Sequence, residues 1–112
     1  MTRFGLPQAS IDRINAVLAS HPEVERATLY GSRAKGTFKP GSDIDLALEG
    51  DLLTHDLLLR IMTDLDDLLL PWMTDLLILP ELDHQPLREH IARVGKTFYE
   101  RADVTGKAGL VE

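Results

Sequence analysis

The chain has 112 residues and a mass of 12.5 kDa, with 44% hydrophobic and 27% charged residues. This length suits one small domain with one core and leaves no room within it for a separate substrate-binding domain. The formal net charge of -6 argues against bulk binding of DNA or RNA, because an acidic surface repels phosphate. No cysteine is present, which excludes disulfides, thiol catalysis and zinc–thiolate sites.

The sequence shows no targeting or membrane-spanning segment. Residues 1–5 are not followed by the apolar run of a signal peptide. The longest apolar stretches, 57–59 and 76–79, are too short to cross a bilayer. We therefore expect a soluble, cytoplasmic protein without a membrane partner.

The spacing of apolar residues changes several times along the chain and predicts a mixture of helices and strands. The expected elements are a helix over about 7–20, strands over 26–30 and 43–49, a helix over about 54–70, a strand over 74–79 and a helix over about 85–99. We expect an α/β (α+β) fold of order α-β-β-α-β-α, in which helices cover a small mixed sheet. The domain is expected to span residues 1–101 and to end in a flexible tail over 102–112.

Two aspartates alternate with core residues on the second predicted strand. Asp43 and Asp45 are two positions apart, so their carboxylates face one side while Ile44 faces the core. Adjacent carboxylates repel each other unless a cation lies between them, and oxygen ligands without nearby His or Cys suit Mg²⁺ or Mn²⁺. The pattern predicts a metal site, with a solvated strand face as the alternative.

A glycine–serine pair directly follows the first predicted strand. Gly31 would let a phosphate approach the backbone, and the Ser32 hydroxyl would supply a further donor. Arg33, Lys35 and Lys39 add positive charge in the following loop. Alone, the pair would more often form an ordinary turn than a phosphate site. Beside a cation-binding strand, it predicts a site for a metal–nucleoside triphosphate.

A third carboxylate, Asp75, begins the last predicted strand. If that strand lies beside residues 43–49, Asp75 reaches the same patch. It would then bind a second metal or accept the proton of an attacking hydroxyl. The histidines have no metal-ligand spacing and are expected on the surface: His21, His55, His84 and His90.

These residues together resemble a known family. Gly31-Ser32, ten residues, Asp43-Ile44-Asp45 and a later Asp75 are similar to the pattern of the nucleotidyltransferase superfamily related to DNA polymerase β. The resemblance covers residues 10–100, and the short chain resembles the superfamily's minimal nucleotidyltransferase (MNT) proteins. MNT proteins commonly pair with HEPN proteins as toxin–antitoxin systems.

The resemblance implies a nucleotide site and a metal-binding catalytic triad. The implied nucleotide-binding residues are Gly31, Ser32, Arg33, Lys35 and Ser42. The implied catalytic and metal-binding residues are Asp43, Asp45 and Asp75. The implied reaction moves AMP from ATP–Mg²⁺ to a hydroxyl, in the family a tyrosine of a HEPN toxin. The protein would then be an antitoxin that acts by protein adenylylation (AMPylation) within a hetero-oligomer.

Two other functions are open at this stage. One is a nucleotidyltransferase that modifies a small molecule such as an antibiotic, although such enzymes usually carry an additional substrate-binding part. The other is a non-catalytic, nucleotide-binding antitoxin that blocks its toxin by occlusion. In either antitoxin hypothesis, Leu59, Leu70 and the residues after Arg101 are expected partner contacts.

Overall fold

Strands and helices alternate along residues 2–103, which are the residues that the computed structural model describes. The strands are β1 (Thr2–Arg3), β2 (Leu6–Pro7), β3 (Arg26–Tyr30), β4 (Ile44–Glu49), β5 (Thr74–Ile78) and β6 (Lys96–Glu100). The helices are α1 (Gln8–Ala19), α2 (Gly31–Lys35), α3 (His55–Asp66) and α4 (Gln85–Val94), with a 3₁₀ turn at Leu79–Glu81. The predicted mixed α/β class is confirmed.

The main sheet has four strands in the order β5-β4-β3-β6. β3 is antiparallel to both β4 and β6, whereas β4 and β5 are parallel. Parallel neighbours need a crossover connection, and α3 provides it between β4 and β5. The end of β3 and the starts of β4 and β5 therefore meet at one edge of the sheet.

The hydrophobic core lies on the face of the sheet that α1 and α3 cover. Leu46 of β4 and Ile14 of α1 are fully buried there, as is Ile61 of α3. Thr54 caps α3, since its side chain accepts a hydrogen bond from the Leu57 amide at 3.2 Å. This buried layer lies against one face of β4 and β5.

The opposite face of the sheet is covered only in part. Tyr30 and Ala47 pack there against Ile91 of α4 in a second, smaller buried cluster. Asp45 lies on the same face as Ala47 because the two are separated by one residue of β4. The sheet thus offers one polar, partly open region at the end where β3 stops.

The predicted third helix, over residues 85–99, is too long. α4 ends at Val94, and β6 follows and pairs with β3. Gly95 lies against the Ile91 carbonyl and the Thr28 side chain, which leave no space for a Cβ. Leu87, Ile91, Val94 and Phe98 have the i, i+4, i+7, i+11 spacing of a helix. In the structure Phe98 belongs to β6 instead, where it is the one buried residue of the strand. The edge of β3 requires hydrogen-bond partners, and the β-prone segment after Gly95 supplies them.

Several smaller features also differ from the sequence prediction. The β1–β2 ribbon precedes the first predicted helix, and the short helix α2 opens the loop after β3. Leu69 lies within the range 54–70 that is predicted as a helix, but α3 ends at Asp66 and Leu69 is 88% exposed. Leu70, expected at a partner surface, packs partly buried against the core.

The C-terminal tail predicted over residues 102–112 lies almost wholly outside the described residues. Within 2–103, none of the helices combines the length and the apolar character that a membrane crossing requires.

Candidate active site

The three predicted strands bring two carboxylates and a tyrosine side by side. In the β3–β4 ladder Tyr30 is paired with Asp45, and in the parallel β4–β5 ladder Asp45 is paired with Asp75. Neighbouring strands are about 4.8 Å apart, and paired positions project from the same face. Asp43 precedes β4 by one residue rather than starting it, and the hydrogen bond from the Ile44 amide to the Met73 carbonyl continues the pairing there. The structure therefore brings the predicted carboxylates to one edge.

This arrangement affects the pKa of Asp45, the central carboxylate. Desolvation first, and then the charges of Asp75 and Asp43, raise the pKa of Asp45 to about 6. Desolvation, reinforced by Asp45 and Asp75, also raises the pKa of Tyr30 well above its usual range. Asp43 and Asp75 are exposed, whereas Asp45 is half-buried. The region is thus short of positive charge, a condition that a bound cation would relieve.

The carboxylate set fits a hard divalent cation that shares its coordination with a substrate. Among residues 2–103, no three His, Cys, Asp or Glu side chains are grouped closely enough to enclose a metal ion by themselves. Mg²⁺ commonly takes one or two carboxylates and completes its octahedron with water and phosphate oxygens. Asp45, with Asp43 or Asp75, could supply these carboxylates. The metal site stays a prediction, and it requires that phosphate oxygens of a bound nucleotide supply further ligands.

The turn after β3 is built against the central carboxylate. Gly31 has φ +75°, a left-handed conformation that favours glycine. A Cβ at this position would overlap the Oδ2 atom of Asp45. The glycine therefore serves a close approach between the turn and Asp45. Ser32 follows it in the first turn of α2 and is half-buried beside the same edge.

Arg33 is placed differently from its neighbours. Its side chain is only 2% exposed, and its guanidinium donates hydrogen bonds to the carbonyls of Phe4, Pro40 and Ser42 at 2.9–3.3 Å. The guanidinium also lies 5.7 Å from the centre of the Trp72 ring. These contacts tie the N-terminal ribbon to the loop that carries Ser42. The structure thus gives the donors of Arg33 protein partners, and phosphate binding by this residue stays an untested prediction.

We expect Arg33→Leu to lower the free energy of unfolding by about 3 kcal/mol, because three backbone carbonyls lose the charged donor that a buried side chain supplies. Lys35→Leu is the matched control, since Lys35 is exposed in the same helix, and its free energy should change by less than about 0.5 kcal/mol. Urea denaturation of both variants measures the difference. Equal stability of the two variants would contradict the structural role of Arg33.

The remaining predicted nucleotide ligands line the loop before β4. The Lys39 amide donates a hydrogen bond to the Ser42 Oγ atom at 2.8 Å, which closes a turn just before Asp43. Lys35 and Lys39 are exposed. Lys35 at the end of α2 and Lys39 in the loop therefore both present positive charge to solvent, while Ser42 shapes the backbone.

His90 lies at this site and is half-buried, although a surface position was expected. The Gly31 amide donates a hydrogen bond to its Nε2 atom at 3.1 Å. The spacing of the helix could have indicated this position. His90 is three residues after Leu87 and four before Val94, so it lies on the same apolar face of α4. That face is turned toward the sheet, so a histidine within it also faces the sheet.

The small mixed sheet, with a Gly-Ser turn after β3 and carboxylates at the starts of β4 and β5, is consistent with a nucleotidyltransferase fold. The family model described as "Polymerase beta, Nucleotidyltransferase" matches residues 12–104. The chain belongs to this family, which confirms the predicted superfamily and enzyme class. No curated protein sequence gives a significant match.

Solved structures of toxin–antitoxin complexes share the fold. A toxin–antitoxin structure with AMP-PNP has a TM-score of 0.67 at 24% identity, and the match covers 83% of this chain and 75% of that one. The MntA–HepT complex has a TM-score of 0.63 at 21% identity over 87% and 75% of the two chains. The complex of a tri-AMPylated Shewanella oneidensis HEPN toxin with its MNT antitoxin has a TM-score of 0.63 at 21% identity over 88% and 76%.

Proposed function

We propose that this protein transfers AMP from ATP to a hydroxyl group of a partner protein, a HEPN-type toxin, and thereby neutralises it. The observation that carries the proposal is the paired register of Asp45 and Asp75 beside the Gly31 turn. One of the similar solved structures is a toxin–antitoxin complex with AMP-PNP and another contains a tri-AMPylated HEPN toxin, which supports the choice of nucleotide and of acceptor.

In the proposed reaction the acceptor oxygen forms a bond to the α-phosphorus of ATP. The bond between that phosphorus and the oxygen bridging to the β-phosphate breaks, and pyrophosphate leaves. Bound Mg²⁺ would supply charge stabilisation for the attacking and leaving oxygens. Asp43 and Asp45 would hold it, and Asp75, which is exposed at the same edge, accepts the hydroxyl proton and releases it to water.

The Gly31-Ser32 turn would hold the triphosphate beside the carboxylates. Lys35 and Lys39 would add positive charge to a site whose own groups are acidic. The triphosphate would then lie between the two lysines and the metal held by the carboxylates.

The shape of the site favours a protein acceptor over a small molecule. Cavities of about 290 and 250 Å³ lie beside α4 and beside β5, and neither is lined by the turn or by the three aspartates. Asp43 and Asp75 are exposed instead at an open edge. An enzyme for a free small molecule needs a pocket that surrounds most of its substrate. An open edge is suited to a tyrosine presented by another protein.

Co-expression with the product of the adjacent gene tests this proposal. The partner should co-purify with the chain and carry the mass of one or more adenylyl groups on tyrosine, which intact-mass and peptide analysis detect. An unmodified partner together with rapid adenylylation of a free aminoglycoside would favour the small-molecule alternative.

We expect Ser32→Ala to weaken binding of Mg²⁺–AMP-PNP about tenfold, since one hydrogen bond to a charged phosphate is lost. Isothermal titration calorimetry measures the change. Ser10→Ala in α1 is the control and should bind as the wild type does. Unchanged affinity in Ser32→Ala would remove the serine from the nucleotide site.

A further inference from the structure

His90 joins α4 to the functional turn through a single directed contact. Because an amide N–H can only donate, the 3.1 Å bond from Gly31 requires that His90 Nε2 accept. The neutral imidazole then carries its proton on Nδ1. The ring stands edge-on to Tyr30, with the ring centres 6.3 Å apart and the planes at 83°. One side chain of α4 thus contacts both the last residue of β3 and the first residue of the turn.

The Gly31 peptide depends on this contact for its orientation. The first amides of a helix lack acceptors within the helix, and Tyr30, which precedes α2, provides no side-chain cap. His90 supplies an acceptor from a different element. Since the Cα of Gly31 lies against the Asp45 carboxylate, a rotation of this peptide would move the turn relative to that carboxylate.

We propose that His90 is a positioning residue for nucleotidyl transfer, which fixes the Gly31 peptide so that the Ser32 turn and Asp45 stay in register. The inference rests on the proposed function, because it concerns the same nucleotide site. His90 acts through Gly31 and is not assigned a contact with the substrate. Small displacements of positioned groups have large effects on bound-state geometry, so a contact of this kind controls affinity and rate more than stability.

Three variants of the full-length chain separate this role from simple packing. His90→Leu removes the acceptor, whereas His90→Gln places an amide oxygen near the position of Nε2. Leu87→Ala is the control, because Leu87 packs partly buried against the same small cluster but has no side-chain atom that could accept the Gly31 hydrogen bond. Calorimetric titration with Mg²⁺–AMP-PNP and thermal unfolding are measured for each.

His90→Leu should weaken AMP-PNP binding about tenfold, and His90→Gln should recover to within about threefold of the wild type. Leu87→Ala should lower the melting temperature but leave the affinity unchanged. Wild-type affinity in a folded His90→Leu protein would overturn the inference, as would a His90→Gln protein that binds as weakly as His90→Leu. If the wild type itself binds no AMP-PNP, the proposed function fails and this inference fails with it.

The ring tautomer provides a test that needs neither nucleotide nor a folded variant. Long-range ¹H–¹⁵N correlation spectra of the wild type should assign the proton of His90 to Nδ1, with Nε2 unprotonated. A proton on Nε2 at neutral pH would overturn the inference, since that nitrogen could not accept from Gly31.

Discussion

Asp45→Asn should abolish nucleotidyl transfer while it makes the protein more stable. The substitution removes the central charge of the predicted metal site, and we expect the rate to fall at least about a thousandfold, because several kcal/mol of transition-state charge stabilisation is lost. Discontinuous assays of adenylyl incorporation into the partner measure the rate. Asp66→Asn, at the exposed end of α3, is the control and should keep full activity.

The gain in stability follows from the raised pKa of Asp45. Its pKa is about 6 in the folded protein against an unperturbed 3.8, so the folded state holds the proton more tightly than the unfolded state. The stability that this group contributes is therefore complete below pH 3.8 and is lost as the pH rises through 6. Allowing for screening at a half-exposed side chain, about 1–2 kcal/mol is lost.

Denaturation in the presence of a metal chelator checks this pH dependence. Asp45→Asn should exceed the wild type in free energy of unfolding by about 1–2 kcal/mol at pH 7–8, and the difference should vanish toward pH 4. A destabilised Asp45→Asn protein at pH 8 would show that the carboxylate is favourably paired rather than repelled by Asp43 and Asp75.

Gly31→Ala should damage the site and the fold together. The left-handed backbone costs an alanine about 1–2 kcal/mol, and its Cβ would displace the Asp45 carboxylate. We expect transfer to fall at least about a hundredfold, since a displacement of about 1 Å in a catalytic group has that effect.

Gly36→Ala is a matched control for this prediction. Gly36 has φ +81°, so an alanine there has the same backbone strain, but no heavy atom of a residue more distant in the chain lies within 4 Å of its Cβ position. Gly36→Ala should lose similar stability and keep its transfer activity. Equal activity of the two alanine variants would mean that the close approach of Gly31 to Asp45 has no catalytic consequence.

The sequence was sufficient for the parts of this site that alternate along strands. The alternation of β4 predicts the face of Asp45, and Asp75 reaches the same patch on the condition that its strand is a neighbour of β4, which the β4–β5 register shows. Gly31-Ser32 was recognised from its position after such a strand. These inferences needed only the two-residue period of a strand and a parallel neighbour for β4.

Contacts between distant segments could not be predicted in this way. The charge of Arg33 and its position after Gly31-Ser32 are typical of a phosphate ligand. Its burial depends instead on backbone carbonyls of the N-terminal ribbon and of the loop before β4. Phe98 continues the apolar spacing of α4, so the sequence predicts a helix through this residue. The segment forms the strand β6 instead because it pairs with β3, and this pairing is not visible in the local sequence. His90 was overlooked because a single histidine carries no spacing of its own.

Reaction of the purified chain with an unmodified HEPN-type partner, ATP and Mg²⁺ tests the central claim most directly. Intact-mass spectrometry should show adenylyl groups added to a partner tyrosine, together with loss of the partner's toxicity, and Asp45→Asn should add none. Neutralisation of the partner without a gain in mass, equally by the wild type and by Asp45→Asn, would contradict the account and identify the protein as an antitoxin that acts by occlusion.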